Sequence, residues 1–152
     1  MSFADFPELD LPEPTLSLEL RAGQVFVQDI LRKHWLVLTP EEWVRQHVVF
    51  WLLAQTGFPA GLLSVERLVT NRKRADVVGY NRSGAPLLLV ECKAPGVRLN
   101  VSAARQALRY NQTLNARFVW VTNGKVHVVF AKDAESIEFK QISMLPTFAE
   151  ML

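Results

Sequence analysis

Three residues in the stretch "RADVVGYNRSGAPLLLVECKAP", positions 74 to 95, have the types and spacing to do chemistry: Asp76, Glu91 and Lys93. In an extended strand successive side chains point to opposite faces, so Glu91 and Lys93 share one face while Cys92 points to the other. Asp76 opens the preceding strand, and antiparallel pairing through "NRSGA" carries the start of that strand beside the end of the next. The counts match, since Asp76 lies five residues before Asn81 and Glu91 five residues after Pro86. Two carboxylates are hard oxygen ligands that favour Mg2+ or Mn2+, and Mg2+ commonly takes one or two of them and fills its shell with water and phosphate oxygens. The backbone carbonyl of Cys92 is a natural further ligand. A lysine beside such an ion can hold or deprotonate an attacking water and offset charge on a pentacovalent phosphate. The chemistry such a set could perform is phosphodiester hydrolysis. The same triad also fits a structural ion-pair network at a strand end.

The elements that must position these residues follow from the pattern of the chain. Residues 1–15, acidic and proline-rich, read as a loosely held arm, and residues 16–152 as a single domain. "LSLEL", "RAGQ" and "VFV" read as a hairpin. Within "TPEEWVRQHVVFWLLAQTG", Thr39 can cap a helix, Pro40 suits its first position, Glu41 and Glu42 meet its positive end, and Gly57 ends it. Strands follow in "LLSVERLV", "ADVVGY" and "PLLLVECK", then a helix over "SAARQALRYNQTLN" with Ser102 as its cap, then "FVWVT" and "KVHVVFA" around an Asn123-Gly124 two-residue turn. The order predicts an α/β fold with a mixed central sheet flanked by helices. "PLLLV", which lacks alternation, is the strand covered on both faces.

Charge and composition narrow the partners. The chain has 152 residues, 49% of them apolar, with 17 basic and 15 acidic residues. Arg67 through Arg117 hold ten basic residues against Asp76 and Glu91, a local +8, while the rest of the chain carries seven basic and thirteen acidic, or −6. That asymmetry fits a surface facing a polyanion, and equally a solvated basic face. Arg72, Lys73 and Arg74 form a basic loop running into Asp76, and Arg98, Arg105 and Arg109 extend the track. One cysteine excludes an internal disulfide, and neither a secretory signal nor an apolar run long enough to cross a bilayer is visible, so the expected location is the cytoplasm, with no membrane partner.

Taken together these residues resemble the PD-(D/E)XK nuclease superfamily, through "RAD" at 74–76 and "ECK" at 91–93. The closer likeness is to the N-terminal nuclease domain of the restriction subunit of type I restriction enzymes, and to small stand-alone bacterial proteins built from it. It spans roughly residues 25 to 130 and includes "LTPEEWVRQ", "LLLVECKAP", "RQALRYN" and "VTNG" in the family's order. The resemblance implies a restriction-endonuclease-like αβββαβ core, with Asp76 and Glu91 as metal-binding acids and Lys93 as the catalytic lysine. It also implies a supporting glutamate on the first helix, either Glu41 or Glu42, and roles in catalysis for Gln106 and Tyr110. A spacing of four puts Gln106 and Tyr110 on one helical face, which agrees. Ala75 stands where the superfamily's name has proline. The chain has no room for an ATP-driven motor and no Gly-rich phosphate loop, so a nuclease domain is implied and not a translocating enzyme.

The expected activity is therefore a Mg2+-dependent endonuclease acting on DNA in restriction or repair, with Mn2+ able to substitute. Two further readings stand beside it: a non-catalytic nucleic-acid-binding or assembly module that keeps the fold, and a repair factor switched on by a partner such as a helicase or methyltransferase. Cutting both strands of a duplex favours two active sites and hence a homodimer. Glu42, three residues after Thr39, also fits a capping box, and Glu41 is not separable from it. Cys92 reads as core, the three histidines as packing or surface, and the tryptophans as core.

Overall fold

The computed structural model describes residues 5–70, 73–133 and 135–152, with the side chains of 67–70 and 73 outside that description. A small sheet comes first, made of β1 (Leu18–Arg21), β2 (Gln24–Gln28) and β3 (Trp35–Val37) in antiparallel order. Helix α1 (Pro40–Ala54) follows. Thr39 caps it, its side chain accepting from the Glu42 N–H at 3.1 Å, and Pro40 occupies the first turn where its missing donor costs nothing.

The main sheet contains β4 (Leu63–Thr70), β5 (Lys73–Tyr80), β6 (Pro86–Cys92), β7 (Phe118–Thr122), β8 (His127–Ala131) and β9 (Lys140–Ile142), lying side by side in sequence order. Only β6 and β7 are parallel, because helix α2 (Val101–Leu114) makes the crossover between them. This is the mixed α/β architecture the sequence predicts. A short α3 (Phe148–Met151) closes the described chain. Among the described residues no helix is long and apolar enough to cross a membrane.

Both faces of β6 are covered, as its unbroken apolar run requires. Leu88, Val90 and Cys92 pack with Val44, Val48 and Leu52 of α1 and with Trp120, whereas Leu89 packs with Val78, Val119, Val121 and Ala107 of α2. Trp51 and Trp120 meet edge to face at 5.2 Å inside the first layer. Trp35 departs from its core reading and stands 37% exposed with the Arg21 guanidinium over its ring.

Three local expectations are corrected. Asn100, not Ser102, caps α2, accepting from the Ala103 N–H at 2.9 Å. The link between β7 and β8 is a four-residue loop rather than a two-residue turn. Asn123 spends its side-chain oxygen on the N–H groups of Lys125 and Val126, and only Gly124 has positive φ. That glycine is also a close approach, since a Cβ there would meet Leu9 at 2.7 Å. Leu9 belongs to the arm expected to be loosely held. Its described residues instead run against the body, with the Asp10 N–H bonded to the Gly124 carbonyl and the Trp43 indole N–H to Pro7.

Candidate active site

The β5–β6 hairpin fixes the centre of the site. Its register pairs Val77 with Val90 and Val78 with Leu89, and Asp76 and Glu91 are the next residues along each strand past that end. The ladder ends at Val77, and beyond it the Cys92 N–H donates to Asp76 Oδ2 at 2.8 Å. A carboxylate thus replaces the next rung. The N–H and C=O of an extended residue leave the strand on the same side, so the Cys92 carbonyl borders the same gap. Across the strand, the Lys93 N–H donates to the Thr122 carbonyl at 2.8 Å.

Burial differs sharply within the triplet. Glu91 is 3% exposed, while Lys93 is half-buried just past the end of β6. Cys92 faces the α1 layer. Burial, then the neighbouring Asp76 charge, pushes its thiol well up, so the sulfur is core and not a nucleophile. The "VTNG" segment explains itself here. The Asn123 amide donates to the Val97 carbonyl at 2.8 Å and the Thr122 hydroxyl accepts from the Gly124 N–H, which ties the chain after Lys93 to the end of β7.

Helix α1 contributes a cation. Both oxygens of Glu42, which is buried, are bound by the Arg45 guanidinium, and one also accepts from Gln46 at 2.9 Å. Arg45 Nη1 then stands 3.0 Å from Glu66 Oε1 and 4.0 Å from Asp76 Oδ1. Burial opposes the Arg45 charge, but the Glu42 hydrogen bond and the charges of Glu42 and Glu66 outweigh it and raise its pKa further. Glu66 is also paired with Arg32 at 3.7 Å, and Arg32 with the buried Asp29 at 2.6 Å. Glu41 is exposed. Sequence reasoning missed Arg45 and Glu66. The i,i+3 spacing of Glu42 and Arg45 was the available signal for the first, and nothing local marks the second.

The other residues singled out in the sequence lie mainly on the surface. Gln106 is exposed and Tyr110 half-buried, one turn apart on α2. Arg98, Arg105 and Arg109 are exposed, and the exposed Arg74 donates to the Glu66 carbonyl at 3.1 Å. Arg72 and the side chain of Lys73 fall outside the described residues. His47 is buried and bonded to the Trp43 carbonyl, and burial holds its pKa below the ordinary imidazole value.

Among the described residues no three or more His, Cys, Asp and Glu side chains stand together as a metal cage. The oxygen atoms that could hold a hard divalent ion are those of the Asp76 and Glu91 carboxylates and the Cys92 carbonyl.

A family model described as the type I restriction enzyme R protein N terminus (HSDR_N) matches residues 40–146. The match runs from the start of α1 past β9 and leaves the arm and the three-stranded sheet outside it. No curated protein matches the chain.

Proposed function

The chain belongs to the family of type I restriction enzyme R protein N termini, and on that footing we propose that it is a restriction-related endonuclease hydrolysing DNA phosphodiester bonds with Mg2+, for which Mn2+ can substitute. The observation that carries this reading is the bond from the Cys92 N–H to Asp76, which brings one acid onto the middle of the acid-x-lysine triplet. Asp76, Glu91 and the Cys92 carbonyl would hold the ion. Bound there, it would polarise the phosphoryl oxygen and acidify a water.

The chain's own groups do the rest. Lys93, at the strand end, holds the attacking water and balances charge on the phosphate. Gln106 and Tyr110, one turn apart, orient water or phosphate from α2. Arg74, Arg98, Arg105 and Arg109, with Arg72 and Lys73, hold the DNA backbone without reading its bases. Glu42 is committed to Arg45 and Gln46 rather than to the ion, and Glu41 meets the helix dipole. The proposed setting is the cytoplasm, with DNA as substrate, a homodimer for cutting both strands, and a helicase or methyltransferase as further partner.

The test is incubation of the pure protein with supercoiled plasmid, linear and branched DNA, with Mg2+, Mn2+ or chelator. The reading expects cleavage that chelator abolishes. Salt-dependent DNA binding with no cleavage under any metal would favour a non-catalytic binding module instead.

A further inference from the structure

Resting on the proposed metal site, we infer that Glu66 weakens the hold of the buried Arg45 guanidinium on Asp76 by drawing it away, and so favours an ion there. One nitrogen, Arg45 Nη1, faces two carboxylates and is not shared equally: Glu66 Oε1 lies at 3.0 Å and Asp76 Oδ1 at 4.0 Å. Arg45 cannot leave, because Glu42 grips its other nitrogens and its side chain is 9% exposed. A fixed cation that close to an ion-binding carboxylate competes with any divalent ion for it, and the competition is strong where burial reduces screening. Glu66 is the acid placed to absorb that charge.

The strand is shaped to make this contact. Val65 pairs with Val77 and Arg67 with Ala75, so Glu66 stands opposite Asp76, yet its backbone sits at φ +52°, a left-handed conformation uncommon for glutamate. Such a local kink re-aims a side chain. Arg32, 3.7 Å away, secures Glu66 from the other side. Glu66 is thus a positioning residue, acting on Asp76 through Arg45.

The experiment is Mn2+ binding to the full chain followed by electron paramagnetic resonance, with thermal unfolding recorded for each variant. Glu66→Gln releases Arg45 onto Asp76 and should weaken Mn2+ binding about tenfold, while Glu66→Asp, which keeps the charge, should retain most of the affinity. The double variant Glu42→Gln/Arg45→Met removes both ends of the buried pair together. It should bind Mn2+ at least as tightly as the parent, and adding Glu66→Gln to it should cost nothing more. Unchanged affinity in Glu66→Gln overturns the inference even if the double variant fails to fold. An equal loss in the double background also overturns it, since Glu66 would then act without Arg45. Parent protein whose Mn2+ binding is absent, or indifferent to Asp76→Asn, would remove the metal site itself and this inference with it.

Discussion

Helices α1 and α2 cover opposite faces of one sheet, and both carry residues assigned to the candidate site, yet they spend their polar groups differently. On α1 three polar residues, Glu42, Arg45 and Gln46, are buried and committed to one another and their neighbours: Glu42 to Arg45 and Gln46, Gln46 to the Ile30 N–H, and Arg45 onward to Glu66 and Asp76. On α2 the buried polar residue, Asn111, closes the helix by bonding both backbone groups of Ala116, while Arg105, Gln106 and Arg109 face solvent. One helix holds charges in place inside the protein; the other holds them out to solvent. The contrast separates residues whose loss should unfold the domain from residues whose loss should only weaken what it binds.

The largest expected effect breaks the α1 side. Arg45→Ala leaves Glu42 charged and buried without its partner, which should cost about 3–5 kcal/mol, read as a drop in the denaturant midpoint. A smaller and symmetrical loss is expected at the two caps. Thr39→Ala and Asn100→Ala should each destabilise by about 1 kcal/mol in chemical denaturation, and equal values would show that the helices differ in their charges and not in their starts.

Acid should sharpen the comparison further. Because burial depresses the folded pKa of His47 below the ordinary imidazole value of 6.5, the unfolded chain binds this proton first. The contribution is intact above pH 6.5 and is lost as pH falls from there toward the folded value. His47→Gln should flatten that segment of the stability curve, while acid-side loss through Asp29, whose Arg32 bond overcomes burial to lower its pKa, should persist below about 3.8. The smallest stability effect belongs to α2. Arg105→Ala and Arg109→Ala should change stability by less than about 0.5 kcal/mol. Each should still weaken DNA binding and reduce the slope of log affinity against log salt by about 1, measured by fluorescence anisotropy.

What could be read from the sequence was whatever is local. The Thr39-Pro40 start, the covered strand through "PLLLV" and the hairpin pairing Asp76 with the triplet all depend on spacing and period, and the structure has them. Short strands were invisible, since "WLV" of β3 and "KQI" of β9 are three residues long and carry no period. The β7–β8 turn misled because Asn123 uses its side chain as an acceptor instead of adopting positive φ. Arg45 and Glu66 escaped for a different reason. Their meaning is long-range, created where a helix and two strands converge, and an i,i+3 Glu-Arg pair on a helix ordinarily signals an exposed face.

The central claim is that a hairpin carries Asp76, Glu91 and Lys93 to one hydrolytic centre, and cleavage by Lys93→Ala tests it most directly. The variant removes a half-buried side chain from beyond the strand end, so it should fold and bind DNA as the parent does. The account predicts plasmid cleavage slowed about a hundredfold or more in Mg2+. Cleavage at the parental rate by the folded variant would contradict it.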